Sequence, residues 1–350
     1  MPPIDPRDLD EICTQGDTLW DDLRGQRTFI TGGTGFFGCW LLESFAAANR
    51  RFALDAEMTV LTRSPESFRL RCPHLAEDPA ISLLRGDVRS FRFPEGEFSF
   101  VIHAAAETGD GRSGQTGNGA LNTISTIFDG TRNILEFAAS HRTQKLLMIS
   151  SGAVYGEQPP EVCQLAESYL GGPDPCLIGS AYGEAKRAAE TLCASYATSS
   201  GLACKIARCF AFVGPHLPLD GAYAIGNFIQ SALESQVIRI HGDGTPLRSY
   251  LYATDLAVWL WTVLIRAPSL QPINVGSGHP ITIRDLAAEV RALLNPGLKI
   301  ETLGHPKPGA PPLQYVPAVR RARETLGLIQ TVQLREAIVR TAEWYGWKRP

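Results

Sequence analysis

Short apolar runs alternate with stretches whose apolar residues recur every three to four positions, up to about residue 210. The runs lie at 27–30 (RTFI), 58–61 (MTVL), 81–84 (ISLL), 98–102 (FSFVI), 145–149 (KLLMI) and 203–207 (ACKIA). Helical periodicity fills residues 36–50, 126–140 and 182–199 between most of them. Regular alternation of this kind predicts an α/β fold, a doubly wound parallel sheet covered on both faces, with ligands at the carboxyl ends of the strands. Beyond about residue 212 the texture changes to short strands, Pro and Gly turns and separate helices. The pattern divides the chain into an N-terminal helical extension (1–26) with Leu19, Trp20 and Leu23 as its apolar side, a sheet domain (27–211) completed by later segments, and a smaller mixed C-terminal lobe (212–350) for substrate. Residues 305–317 (HPKPGAPPLQYVP) read as a Pro-rich loop, and 331–346 as an amphipathic helix.

Composition narrows the class. With 33 Lys and Arg against 36 Asp and Glu the net charge is −3, which lacks the basic excess of a nucleic-acid binder. No stretch of roughly 18 apolar residues occurs, and the N-terminus is acidic without an apolar core, so neither membrane spanning nor export is expected. Eight cysteines at 13, 39, 72, 163, 176, 193, 204 and 209 show no CxxC and no metal-ligand spacing. They read as reduced core residues of a cytoplasmic protein with no metal.

Three features carry chemistry. Residues 31–38 (TGGTGFFG) sit between an apolar strand and a helical pattern, the arrangement that holds a pyrophosphate at a helix N-terminus. Gly32 would permit the turn, Gly35 would let backbone approach phosphate, and Gly38 would let the helix pack on the strand, giving a Rossmann-type unit. Tyr182 and Lys186, four apart at a helix start, share one face, so an ammonium near the phenol makes it a usable base. Residues 150–156 (SSGAVYG) follow an apolar strand and place a hydroxyl at its carboxyl end, facing the Tyr.

Together these residues resemble the extended short-chain dehydrogenase/reductase superfamily, in particular its nucleotide-sugar epimerase and dehydratase group. The resemblance runs from about residue 26 to the C-terminus. It adds Gly86-Asp87-Val88, HAAAE (103–107), VGP (213–215), HGDGTPLRSYLYATDLA (241–257) and INVGSG (273–278), in the order that the group shows. It implies an enzyme that binds NAD(P) through Gly32, Thr34, Gly35, Phe36, Phe37, Gly38, Asp87, Val88, Ala104, Ala105, Ala106, Tyr182 and Lys186. Ser151, Tyr182 and Lys186 would be catalytic, oxidising a sugar carbon, typically carbon 4. Glu107, Gly152, Ala153, Asn227 and Arg248 would face a nucleotide-diphosphate sugar, and relatives commonly form homodimers through helices that include the one bearing Tyr182.

The departures shape the expected reaction. Dehydratases of this group carry an Asp-Glu pair after the catalytic hydroxyl, and decarboxylases tend to carry a Glu. Here stand Gly152 and Ala153, which leaves epimerase as the favoured reading, with 4,6-dehydratase and 4-ketoreductase as alternatives. Ser249 replaces the group's usual Asp, and its Asn near Ala211 is missing. Where NAD-binding members carry an acid after the second strand, this chain has Thr62, Arg63 and Ser64, and a guanidinium there favours NADP. A non-catalytic NAD(P)-sensing protein of the same fold would typically have lost the Tyr or the Lys, and both are present.

Overall fold

The computed structural model describes residues 1–16, 18–106, 116–221, 223–306 and 308–349. Glu107 and most of the glycine-rich segment 109–119 lie outside the described residues.

The predicted strands form one parallel sheet. β1 (Arg27–Thr31), β2 (Glu57–Thr62), β3 (Ile81–Arg85), β4 (Phe100–His103), β5 (Lys145–Ser151) and β6 (Ala203–Cys209) are joined by a seventh strand, Ile273–Val275. In space the order runs from Ile273–Val275 through β6, β5, β4, β1 and β2 to β3, so the order in which strands are added reverses between β1 and β4 while all stay parallel. That switch point is where an open α/β sheet binds its ligand. β1 and β4 are buried almost throughout, as strands covered on both faces must be.

The helix Gly117–Ser140 begins nine residues before its apolar periodicity does. The glycines of its first turn hid the start. Thr116 caps it, its hydroxyl accepting from the Gly119 amide at 3.2 Å.

The terminal segments are welded to the body. Asp8, on the first helix Pro6–Gln15, is buried between the Tyr252 hydroxyl at 2.6 Å and Arg340 at 2.6 Å. Trp20 packs edge-on against Trp261 with centroids 5.5 Å apart. The buried helix Ala253–Arg266 receives both, and no helix among the described residues is long and apolar enough to cross a membrane.

The Pro-rich stretch differs from the expected loop. Gln314–Tyr315 pairs in parallel with Leu247–Arg248, aligning Tyr315 with Arg248, while Ile281–Thr282 pairs antiparallel to the same strand. A two-residue strand between prolines has too short a pattern to be read from sequence. The cysteines depart from expectation too: six are buried, but Cys163 and Cys176 are exposed.

Candidate active site

The turn after β1 is built for close backbone approach. Gly32 has φ +70°, and a Cβ there would stand 2.5 Å from the Ala104 carbonyl carbon. A Cβ on Gly38 would stand 2.3 Å from Gly33 Cα, so the helix Phe36–Phe52 seats directly on the turn. Gly35 differs, since its N-cap conformation is open to any residue and a Cβ would make only ordinary contact at 3.5 Å. Its absent side chain serves space above the helix N-terminus rather than packing, which fits a phosphate bound there. Thr34 offers its carbonyl to Arg71 and to Cys39 Sγ, and Phe37 packs on Phe212 with ring centroids 5.0 Å apart. Phe36 lies beside Phe37, with centroids 5.6 Å apart. A turn that no larger residue could form, opening on helix amides, fits a dinucleotide pyrophosphate.

Ala104, Ala105 and Ala106 follow β4, with the Ala105 amide held by Thr31 Oγ1 at 3.2 Å. Arg63 is exposed just beyond β2. Asp87 grips its neighbour Arg89 through both oxygens at 2.8 Å, and that guanidinium holds its carboxyl down at about 2. Val88 turns inward and packs against Gly130.

His103 of HAAAE is a core residue. It is wholly buried between the hydroxyls of Thr31 at 2.8 Å and Thr131 at 3.0 Å, and burial pushes it down to about 3. The folded chain therefore refuses a proton that the unfolded chain takes below its ordinary 6.5, so stability falls as pH drops from about 6.5 toward 3. Between pH 7 and 5 this single group is expected to cost about 2 kcal/mol. Urea midpoints at the two pH values should show the loss in the parent and a much smaller one in His103→Gln.

Ser151 ends β5, and its Oγ accepts from the Ala153 amide at 3.1 Å. Tyr182 lies at the start of the helix Ala181–Ser200, which Gly183 lets approach, since a Cβ there would stand 2.6 Å from the Ala153 carbonyl. The Tyr182 phenol faces Ser151; burial pushes it well above its ordinary value and the Ser151 hydroxyl pulls it back part of the way. Lys186 is buried, and its Nζ donates to the Ile149 carbonyl at 2.7 Å and stands 5.9 Å from the Tyr182 ring centre. Burial lowers the Lys186 ammonium to about 8. The three predicted residues thus converge, with Ser151 the neighbour that acts on the phenol, while the ammonium is tied to the Ile149 backbone near the ring.

A fourth side chain joins them that sequence reasoning missed. The Tyr315 hydroxyl also faces Ser151, which acts on it, and burial raises it as well. A Cβ on Gly152 would stand 2.6 Å from that hydroxyl and 2.7 Å from the Phe210 ring, so the space beside Gly152 belongs to these two aromatics. Arg248 sits next to Tyr315 in the strand pair, and its charge acts on Tyr315 and Tyr250. Asn227 lies one turn beyond Tyr223, which caps the helix Ala224–Leu233 and whose phenol acts on Tyr182.

Elsewhere, Cys39, Cys72 and His216 bring their ligand atoms within 4.8 Å of one another. No spacing in the sequence announces this set, because it is assembled from segments far apart in the chain.

A glycine turn at the sheet's switch point, with Ser151 at the end of β5 and Tyr182 and Lys186 on the helix after it, has the form of a Rossmann dinucleotide site. Residues 28–276 match the NAD dependent epimerase/dehydratase family, and the chain belongs to it. It is 30% identical over 312 residues to UDP-glucuronic acid decarboxylase 6 of Arabidopsis thaliana, covering 89% of this chain and 86% of that protein. Similar solved structures include a dTDP-glucose 4,6-dehydratase from Streptomyces venezuelae with NAD bound (TM-score 0.76, 23% identity, 91% of this chain and 96% of that one). Another is a UDP-N-acetylglucosamine 4-epimerase from Methanobrevibacter ruminantium (TM-score 0.78, 21% identity, 92% and 98%). At such identities these two speak for the fold.

Proposed function

We propose that the chain is an NAD(P)-dependent nucleotide-sugar epimerase that transiently oxidises its substrate at carbon 4. The bound nicotinamide would supply hydride acceptance and return. Tyr182 takes the proton of the sugar hydroxyl, and Ser151 holds that oxygen against it. Lys186, anchored to Ile149, would bind the cofactor ribose. Arg248 offers a guanidinium for the diphosphate, and Asn227 is proposed to bind the same substrate.

The observation that carries the choice is the Tyr315 hydroxyl beside Gly152. Elimination of water from a keto sugar needs a carboxylate near the ketone, and here a neutral phenol fills that place. A second reading has its own support in the decarboxylase relatives. A 4-keto hexuronic acid is a β-keto acid and loses carbon dioxide without a protein carboxylate, so Gly152 does not forbid it.

Incubation with a panel of UDP-, dTDP-, GDP- and CDP-sugars, read by mass and proton NMR, separates these outcomes. An unchanged mass with an inverted carbon 4 supports the epimerase. Loss of carbon dioxide from a nucleotide hexuronic acid supports the decarboxylase, and loss of water would defeat both. Net consumption of reduced cofactor with a 4-keto sugar would make the chain a ketoreductase.

The cofactor is proposed to be NADP in preference to NAD, on the guanidinium of Arg63 and the lack of an acid at residues 62–64. Arg63→Ala is then expected to raise KM for NADP about tenfold and leave that for NAD unchanged, measured by steady-state kinetics. A homodimer is proposed through the helices Gly117–Ser140 and Ala181–Ser200, supported by Leu121 and Ile124, exposed on the first of them.

A further inference from the structure

We propose that Cys39, Cys72 and His216 bind a zinc ion beneath the glycine turn. Three segments meet there. Cys39 lies on the first turn of the helix Phe36–Phe52, Cys72 joins the helices Pro65–Arg71 and Pro73–Ala76, and His216 follows the strand Phe212–Val213. All three are buried, and their ligand atoms lie within 4.8 Å of one another. Tetrahedral zinc with two thiolates and an imidazole spaces those atoms by about 3.6 Å, so a contraction of about 1 Å closes the site.

His216 is the independent pointer. Its side chain is 2% exposed, yet neither ring nitrogen has a hydrogen-bond partner. An imidazole stripped of water and left without a partner is costly, and a metal bond removes that cost. Its backbone adopts φ +69°, a conformation unfavourable for a residue other than glycine, which aims the ring at the sulfurs. A Cys39–Cys72 disulfide would account for the two sulfurs but would leave the imidazole orphaned.

Glu43 stands one helical turn beyond Cys39, its Oε1 3.9 Å from His216 Nε2 and 2.7 Å from His74 Nε2. Glu43 lies outside the three mutually close ligand atoms, and its charge would favour the metal from the far side of the imidazole. Two thiolates with an imidazole select zinc over the oxygen-seeking divalent ions, and binding releases both thiol protons to solvent.

The site would act as a staple for cofactor binding. Cys39 Sγ lies 3.9 Å from the Thr34 carbonyl, which also accepts from Arg71, the residue before Cys72. A cleft of about 570 Å³ runs from Thr34, Gly35 and Phe36 to Cys39 and His216. Metal here would fix the turn from below without touching the reacting atoms.

The test uses the full chain. After stripping with a chelator and exchange into zinc chloride, the parent should retain about one zinc per chain on gel filtration, and Cys72→Ser and His216→Ala should retain almost none. Cobalt(II) in the parent should give thiolate charge-transfer bands and intense tetrahedral bands. Zinc should raise the Tm of the stripped parent and tighten NADP binding, which guards against variants that fold poorly. Uptake below about a tenth of an equivalent by the stripped, reduced parent would overturn the proposal. So would a Cys39–Cys72 disulfide in the protein as isolated, or cobalt bands lacking thiolate character.

Discussion

Replacing Tyr182 with Phe is expected to lower turnover by about a thousandfold or more, with the Kd for cofactor unchanged. The phenyl ring keeps its place over Lys186 and its packing on the sheet domain, and only the hydroxyl that meets Ser151 is lost. Fluorescence titration with reduced cofactor and steady-state turnover measure the two effects separately. A fall in both would point to a misplaced helix, and a fall in neither would remove Tyr182 from the chemistry. Because burial lifts the phenol and the Ser151 hydroxyl only partly offsets it, the parent's rate should climb with pH through the neutral range. Ser151→Ala removes the offset, so the climb should move to higher pH. Tyr315→Phe removes the other hydroxyl that acts on Ser151 and should lower the rate while leaving cofactor binding alone.

The second large effect concerns the turn itself. Gly38→Ala is expected to cost about 3 kcal/mol of folding stability and to abolish cofactor binding, because its new methyl would meet Gly33 backbone at 2.3 Å and must push the helix off the turn. Gly35→Ala meets nothing closer than 3.5 Å and should fold within about 1 kcal/mol of the parent, yet bind cofactor more weakly. Urea unfolding and cofactor titration of the pair separate a glycine needed for packing from one needed for ligand space. Equal stabilities would show that the helix does not rest on the turn in the way described.

The sheet was legible because β1, β4, β5 and β6 are buried on both faces and so read as unbroken apolar runs. Ser151, Tyr182 and Lys186 were legible for a related reason, since each stands at the end of a strand or the start of a helix, where periodicity fixes the face. What the sequence concealed came from pairings across distance. Tyr315 reaches Ser151 from a two-residue strand inside a Pro-rich stretch, and no local pattern marks it. His103, inside the HAAAE match, has its own ring sealed between two threonine hydroxyls, partners that no local pattern marks. Asp87 has its carboxylate held by Arg89, two residues on. Cys39, Cys72 and His216 come together only because a helix, a helix junction and a strand end pack at one corner of the sheet.

The account stands on Tyr182 and Ser151 drawing a proton from a sugar hydroxyl while its carbon gives up hydride. The most direct check is a single-turnover reaction with a nucleotide sugar bearing deuterium at carbon 4, stopped in alkali before completion, with the reduced cofactor recovered for mass spectrometry. Deuterium on the reduced nicotinamide ring at early times with the parent, lost again as hydride returns, and none at any time with Tyr182→Phe is the predicted result. Product formed with no labelled reduced cofactor at any time and no slowing by the deuterium would contradict it.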